Sequence, residues 1–390
     1  MKKVVITHAK RTAIGAFNGA LSSYTAPQLG SIVIKALLEE SGIEKKLIDE
    51  VIMGNVLTAG LGQAPARQAA LFAGLPNKTE CLTINKMCGS GLKAVMLAQQ
   101  AIACGDAEII IAGGQESMTN APYVLQNARN GYRLGNGTIL DTVLVDGLVD
   151  AYDNIHMGVC AESCAKDFHF SREELDAFAV LSYNRALAAQ KEGKFNDEIT
   201  AVSIKSKSGE VKFINDEEPG KVNFEKLPSL KPVFDKNGVV TAANASSLND
   251  GAAAVLIMSE EKAKEMGFTQ LAEIVAQSST AKAPVEFTTA PADAITKVLA
   301  KAKMDINQID LFEINEAFAV VSLAVNKLLG LTSEKVNVNG GAVALGHPIG
   351  ASGARILTTL LYEMKRRNSK YGLASLCIGG GEASALIVKR

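Results

Sequence analysis

The stretch that decides the fold is NKMCGSGLKA, residues 85–94, in which one cysteine precedes two glycines and the start of a helical pattern. Apolar residues at 92, 95, 96 and 102 have helical spacing, which puts Cys88 at or just before the helix N-terminus. Unpaired N–H groups and the helix dipole favour a thiolate there, and glycines let the backbone approach a bound ligand closely. Cys88 is therefore a candidate nucleophile, and the alternative is a small buried apolar residue.

A second interpretation of the same residues is a nucleotide-binding turn. Residues 89–94 fit G-x-G-x-x-A, the turn that holds a dinucleotide pyrophosphate, and Glu116 follows at about the distance expected for a ribose-binding acid. This would predict an NAD-dependent oxidoreductase, although such a turn has no use for Cys88.

Outward from this stretch, the chain repeats itself. Strand-like segments at 4–7, 49–54 and 107–114 alternate with helix-like segments at 27–40 and 90–104, which predicts a parallel α/β sheet. The order recurs from about residue 270, where LAEIVAQSST, DLFEINEAF, ASGARILTTLLYEM and ASLCIGGGEAS resemble VVITHAKRT, DEVIMGNVL, GSGLKAVMLAQQAI and EIIIAGGQES. Two copies of one α/β unit are expected.

The repeats divide the chain into three segments. We expect residues 1–118 with 249–268 to form the first half, and residues 269–390 to form the second. Residues 119–248 read as an irregular, mostly exposed insertion, apart from a helix opened by the capping box of Ser171 and Glu174.

Composition excludes several classes of protein. The 390 residues are 47% hydrophobic and 21% charged, as in a globular protein, and 40 basic against 41 acidic residues give no reason to expect nucleic acid or an acidic membrane as partner. No apolar run approaches the ~18 residues of a membrane span, and the N-terminus lacks a signal peptide's apolar core, so a cytoplasmic protein with reduced cysteines is expected. The spacing of Cys160 and Cys164 fits no common zinc pattern, so no metal is expected.

The second half supplies further polar residues at the predicted strand and loop ends. His347 lies in the glycine-rich loop GGAVALGHPIGASGA, Asn315 in EINEAFA and Cys377 in ASLCIGGGEAS. Ligands of doubly wound sheets bind at the carboxyl ends of strands, so these residues are expected to meet Cys88. The alternative for Asn315 is a cap of a helix over 316–325.

The motifs NKMCGSGL, NEAFA, GHPIGASGAR and CIGGGEA, in this order over essentially the whole chain, resemble those of the thiolase family. CGSGL together with DNIHMG (153–158) is similar to the short-chain branch, which acts on acetoacetyl-CoA. The resemblance implies a duplicated, five-layered α-β-α-β-α fold, with 119–248 as an inserted loop domain that holds coenzyme A. It also implies a homotetramer built from dimers.

The resemblance further implies a reversible Claisen condensation of two acetyl-CoA to acetoacetyl-CoA and CoA, through an acetyl-cysteine and with no cofactor besides the CoA thioesters. Cys88 would be the nucleophile, His347 its base and Cys377 the acid and base of the second step. Asn315 would hold a water that, with His347, binds one thioester oxygen, and the backbone N–H groups of Cys88 and Gly379 would bind the other.

For coenzyme A, the resemblance points to a set of contact residues: Leu148, His156, Met157, Phe234, Ala242, Ser246, Leu248, Ala317 and Phe318. Two positions depart from the family pattern. Where an arginine commonly meets the nucleotide phosphate, this chain offers only Lys221 and Lys226, of which Lys221 is the expected contact. Phe287 stands where close relatives often carry methionine at the acyl pocket. Alternatives left open are a 3-ketoacyl-CoA thiolase of broader chain length, a β-ketoacyl synthase and a non-catalytic acyl-CoA binder.

Overall fold

The computed structural model describes residues 2–206 and 209–390; Met1, Lys207 and Ser208 lie outside the described residues. The strands in this part of the chain are β1 (Val4–Thr12), β2 (Gly15–Ala16), β3 (Glu50–Gly54), β4 (Glu80–Ile84), β5 (Ile109–Ser117), β6 (Tyr123–Leu125), β7 (Ile139–Asp141), β8 (Ile199–Thr200), β9 (Val202–Ser206), β10 (Gly209–Phe213), β11 (Asn249–Ser259), β12 (Ala272–Ala281), β13 (Leu311–Ile314), β14 (Tyr371–Ile378) and β15 (Glu382–Lys389). The α-helices are α1 (Ala26–Ser41), α2 (Pro65–Phe72), α3 (Ser90–Cys104), α4 (Met157–Phe168), α5 (Arg172–Lys191), α6 (Glu260–Glu265), α7 (Ala290–Ala302), α8 (Ala319–Leu329), α9 (Ala342–Leu345) and α10 (Ser352–Arg367).

The two copies of the α/β unit share one sheet. Its main path in the described residues runs β13-β14-β15-β12-β1-β11-β5-β3-β4. The order β13-β14-β15-β12 in the second copy matches β3-β5-β11-β1 in the first, and the two copies join through the antiparallel pair β1 and β12. The duplication predicted from the sequence is confirmed.

The sheet is mixed, so the prediction of a parallel sheet is wrong. Strands β3, β4 and β5 are parallel, as are β13 and β14, but the long pairs β1–β11, β5–β11, β12–β15 and β14–β15 are antiparallel. The helix–strand alternation shows only the strands that a helix separates. A turn of three glycines, residues 379–381, joins β14 directly to β15, and so short a connection makes the two strands antiparallel neighbours.

Helices form three layers around the two halves of the sheet. α3 and α10 pack between the halves, with their apolar side chains in one shared core. α1 and α2 cover the outer face of the first half, and α7 and α8 cover the outer face of the second. The contact of α3 with α10 is so close that a Cβ on Gly353 would lie 2.3 Å from the Leu92 nitrogen. This is the expected five-layered fold.

The segment 119–248 is more ordered than predicted. Its capping box is confirmed, because Ser171 N–H donates to Glu174 Oε2 at 2.7 Å and Glu174 N–H donates to Ser171 Oγ at 3.3 Å. Helix α5 packs on α8 and α9, and α4 packs on α8, because both helices bury an apolar stripe against the second half. The boundaries of the three segments stay a prediction. Within the described residues, no helix has the length and apolar content that would let it cross a membrane.

Candidate active site

One cavity of about 410 Å³ opens between the inserted segment and the two repeats. Three predicted catalytic residues, Cys88, His347 and Gly379, line it. Ten of the predicted coenzyme A contacts line it as well: Leu148, His156, Met157, Phe234, Ala242, Ser246, Leu248, Phe287, Ala317 and Phe318. The cavity therefore has an apolar wall and a small polar region with a thiol and an imidazole.

The loop that carries Cys88 connects β4 to α3 and is closed by its own side chains. Ser90 Oγ accepts the Lys86 N–H at 2.8 Å and donates to the Met87 carbonyl at 2.7 Å, while Asn85 Oδ1 accepts the Met87 N–H at 2.9 Å. Met87 has a φ of 47°, a left-handed conformation that a non-glycine residue adopts only where its surroundings enforce it. The turn presents the Cys88 thiol to the cavity at the start of α3.

His347 is oriented from both sides of its loop. Its backbone N–H donates to Asn249 Oδ1 at 2.8 Å, and its Nδ1 lies 2.6 Å from Ser352 Oγ. Ser352 Oγ donates to the Pro348 carbonyl at 3.0 Å, which lets it accept from His347 Nδ1 in the tautomer that carries the proton there. Nε2 has no hydrogen-bond partner among the described residues. It is left with a free lone pair, as a general base requires.

Asn315 follows β13 and lies beside this imidazole. Its N–H donates to the Ser375 carbonyl at 3.0 Å, its Nδ2 is 3.4 Å from His347 Nδ1, and its buried Oδ1 has no protein partner in the described chain. The alternative reading as a helix cap is wrong, because α8 begins at Ala319 with Phe318 in the capping position. Asn315 stands behind the cavity wall, with an unsatisfied carbonyl oxygen.

Cys377 and Gly379 lie at the end of β14, on the other side of Cys88. The Gly379 backbone faces the Cys88 thiol, where it opposes the rise in the thiol pKa, and both residues line the cavity. Cys377 is fully buried beneath the wall, close enough for a charge on Cys88 to raise its pKa. A Cβ on Gly379 would lie 3.6 Å from Met157 Sδ, so any side chain there would enter the space next to the thiol.

Burial keeps the principal groups neutral. It raises the pKa of Cys88 to about 11 against the opposing effect of the Gly379 N–H, and it lowers the pKa of His347 to about 3. Burial and the neighbouring Cys88 raise the pKa of Cys377 well above its ordinary value. The free protein therefore holds neutral thiols and a neutral imidazole. The thiol proton leaves only when the sulfur attacks a bound substrate, because the negative charge then moves from the sulfur to the substrate.

Aromatic rings form the far wall of the cavity. His156 stacks on Phe234 with ring centroids 4.7 Å apart, and Phe318 contacts both Phe234 at 6.3 Å and Phe287 at 6.5 Å in edge-on geometry. Gly158 makes room for this cluster, since a Cβ there would lie 2.3 Å from the Phe234 ring. Such a wall of packed rings suits a flat or extended apolar group.

Lys221 is not among the residues that line the cavity, and its role as a coenzyme A contact stays a prediction. Its Nζ is 3.1 Å from Glu217 Oε1 and 3.9 Å from Glu218 Oε1. Glu217 in turn accepts the backbone N–H groups of Ala16 and Ala20. The lysine therefore pairs with carboxylates that lie three and four residues before it in the chain.

Several residues of the site were missed. Ser352, Asn249 and Glu116 position the catalytic loops; Glu116 accepts N–H groups from Val56, Leu57 and Gly350, besides the amide of Asn55. Ser352 stands five residues after His347 at the start of α10, and this spacing could have identified it as a partner of the imidazole. Other wall residues were also missed: Met118, Leu144, Gly147, Val233, Thr241, Ala245, Ser247 and Ile349.

The nucleotide-turn interpretation is wrong. A Cβ on Gly91 would lie 2.8 Å from the Ala354 nitrogen, and one on Gly89 would lie 2.4 Å from Ile378 Cδ1. These glycines give close packing to other backbone and leave no space for a pyrophosphate. Glu116 is fully buried, and its carboxylate accepts backbone N–H groups of neighbouring loops, so it is not accessible to a ribose. No cluster of three or more His, Cys, Asp or Glu residues within the described ranges could hold a metal ion.

Known proteins and family models match this chain over essentially its full length. The family model "Thiolase, N-terminal domain" matches residues 4–261, and "Thiolase, C-terminal domain" matches residues 268–390. The chain is 55% identical to an acetyl-CoA acetyltransferase of Cupriavidus necator and covers all of it, and it is 51% identical to acetyl-CoA acetyltransferase 2 of Arabidopsis thaliana over 100% of this chain and 97% of that one.

Solved structures also match the chain over its full length. The acetyl-CoA acetyltransferase of Bacillus anthracis superposes with a TM-score of 0.97 at 45% identity, covering 100% of this chain and 99% of that one. An Ascaris suum thiolase in complex with coenzyme A gives 0.95 at 43% identity over all of both chains, and human mitochondrial 3-ketoacyl-CoA thiolase gives 0.96 at 41% over 100% and 99%. With both domain models matched in order and relatives above half identity over its whole length, the chain belongs to the thiolase family.

Proposed function

We propose that this chain is an acyltransferase that condenses two acetyl-CoA to acetoacetyl-CoA and CoA, reversibly and through an acetyl-cysteine. The observation that carries the proposal is the meeting of the Cys88 thiol, the free Nε2 of His347 and the Gly379 N–H in one apolar cavity. Relatives of more than 50% identity over the whole chain carry the name acetyl-CoA acetyltransferase. No cofactor is required, because the thioester itself activates the acyl group.

The first step is acyl transfer to Cys88. Nε2 of His347 takes the thiol proton while the sulfur attacks the thioester carbonyl, and the same proton then leaves with the CoA sulfur. The N–H groups of Cys88 and Gly379 donate to the oxygen that becomes negative. Since both partners are neutral beforehand, the charge appears only when the substrate is in place.

The second step uses Cys377. Its thiol proton passes to Nε2 of His347, and the thiolate then takes the α-proton of a second acetyl-CoA. The resulting enolate attacks the acetyl carbon on Cys88, whose sulfur leaves as thiolate and takes back the proton held by His347. Asn315 and His347 are suited to hold a water at the enolate oxygen, and the unsatisfied Oδ1 of Asn315 supports that assignment. In reverse, Cys377 returns the proton and CoA cleaves acetoacetyl-CoA.

The aromatic wall sets the proposed substrate size. Phe287 and Phe318 close the cavity beside the thiol, which favours an acetyl group over longer chains. The pantetheine arm would lie along Leu148, Met157 and Leu248, with Ser246 as a polar contact; its hydroxyl donates to the Ala317 carbonyl at 2.8 Å and keeps its lone pairs free for a donor.

The test is thiolysis of acetoacetyl-CoA by free CoA, followed by mass spectrometry of the protein. We expect an acetyl group on Cys88 of the wild type, none in Cys88→Ser, and in Cys377→Ser an acetyl-enzyme that forms from acetyl-CoA but does not condense. A folded wild type that is never acetylated would leave the non-catalytic acyl-CoA binder as the better reading. Equal rates with long and short 3-ketoacyl-CoA would favour the thiolase of broader chain length.

We also propose a cytoplasmic homotetramer that serves fatty acid metabolism. All six cysteines are free, as in a reducing compartment. The hairpin of β6 and β7 exposes Tyr123, Leu134 and Ile139, with 62%, 100% and 63% of their surface accessible, which supports burial against another copy. Light scattering would measure the mass, and a monomer would contradict the assembly.

A further inference from the structure

The two N–H groups proposed to bind the acyl oxygen belong to loops that are far apart in the chain. The Cys88 loop, residues 85–90, follows β4, and the glycine turn, residues 379–381, follows β14. Each loop is closed within its own half: the first by Ser90, and the second by the Lys282 N–H, which donates to the Gly381 carbonyl at 2.7 Å. Their relative position must be set by contacts between them.

A side-chain ion pair joins the loops next to the thiol. Lys86 Nζ donates to Glu382 Oε2, across 296 residues of sequence. Lys86 is two residues before Cys88, and Glu382 is three residues after Gly379, where it pairs with Ile378 in the β14–β15 hairpin. Both side chains are partly shielded from water, with 23% and 37% of their surface accessible.

A third charged residue, Lys93, lies close to this ion pair. Lys93, one turn into α3, has its pKa lowered by burial and by the charge of Lys86, while Glu382 acts in the opposite direction. Glu382 therefore offsets the repulsion between two lysines at the base of the Cys88 loop. Without the carboxylate, the two like charges would repel each other, and Lys86 would lose the charge that draws it to the glycine turn.

We propose that Lys86 and Glu382 are positioning residues that hold the N–H groups of Cys88 and Gly379 at the separation an acyl oxygen requires. The inference rests on the proposed function. It concerns turnover and not affinity, because neither residue lines the cavity. Donors displaced from the developing oxyanion lose transition-state stabilisation, whereas the ground-state thioester is held by the apolar wall.

The test is a double-mutant cycle of Lys86→Met and Glu382→Gln on thiolysis of acetoacetyl-CoA, read as rates relative to an active wild type. Each single variant should lower kcat about 3-fold to 10-fold, since complete loss of an oxyanion donor costs about 100-fold or more. KM for CoA should stay within about twofold. The double variant should fall no further than the worse single variant, as expected of residues that act as a unit.

Lys264→Met is the matched control, because it removes a lysine whose Nζ is 3.0 Å from Glu260 on α6, outside the site. It should keep the wild-type kcat. Unchanged kcat in both site variants, additive losses in the double variant, or a rise in KM alone would overturn the inference. Failure of the proposed function would look different, because the wild type itself would not acetylate Cys88.

Discussion

Replacing Ser352 by alanine tests how His347 becomes a base. The serine hydroxyl accepts the Nδ1 proton at 2.6 Å and thereby leaves Nε2 free. In Ser352→Ala that buried donor has lost its acceptor, which costs about 1–3 kcal/mol. The imidazole can avoid the cost by moving its proton to Nε2, with Nδ1 accepting from Asn315 Nδ2 at 3.4 Å, but it is then unable to take the thiol proton.

The magnitude follows from that cost. With about 1.4 kcal/mol for each factor of ten, kcat for thiolysis should fall about 5-fold to 150-fold. The rate of Cys88 acetylation in a single turnover should fall by the same factor, because the proton leaves the thiol in that step. KM for CoA should change little, since Ser352 does not line the cavity.

Thr358→Val is a suitable control. Thr358 Oγ1 donates to the Ala354 carbonyl at 2.9 Å on the same helix, just as Ser352 Oγ donates to Pro348 at 3.0 Å, but it does not touch the imidazole. Both variants lose a helix hydrogen bond, and only one loses the contact with His347. If Ser352→Ala kept kcat within about twofold of Thr358→Val, Ser352 would have no part in orienting the base.

Four further outcomes are expected. With the pKa of Cys88 raised to about 11, inactivation by iodoacetamide should rise about tenfold per pH unit between about pH 7 and pH 10, and a plateau near pH 8 would contradict a neutral resting thiol. Phe287→Ala should raise kcat/KM for six-carbon relative to four-carbon 3-ketoacyl-CoA, while it lowers the free energy of unfolding by about 3 kcal/mol or more; an unchanged ratio would remove Phe287 from the acyl pocket. Lys221→Met should raise KM for CoA about tenfold, because it removes the predicted phosphate contact, and a KM within about twofold of the wild type would leave Lys221 only its ion pair with Glu217. Gly353→Ala should lower the free energy of unfolding by about 1–3 kcal/mol in denaturant titrations, since its Cβ would overlap the backbone of α3, whereas Gly220→Ala, with no atom within 4 Å of its Cβ, should not.

Much of the site followed from the sequence. The repeat placed the Cys88 loop and the His347 loop at equivalent helix starts, and the strand-end rule placed Asn315 and Cys377 at the ends of neighbouring strands of the sheet. The antiparallel pairs did not follow, because the helix–strand alternation carries no information about strands that a tight glycine turn connects. The irregular insertion was likewise only partly predicted, since the apolar stripe of α5 reveals a buried face but not what covers it.

The sequence by itself determined the duplicated α/β fold, the family and the residues able to do the chemistry, because those depend on local periodicity and on short motifs. Only the tertiary structure decided what orients them: the Ser352 contact that fixes the His347 proton, and the pairing of Lys86 with Glu382. It also decided that Lys221 pairs with Glu217 and Glu218. Hydrogen bonds and ion pairs depend on distances of a few ångströms between segments far apart in the chain, and those distances exist only once the core has packed.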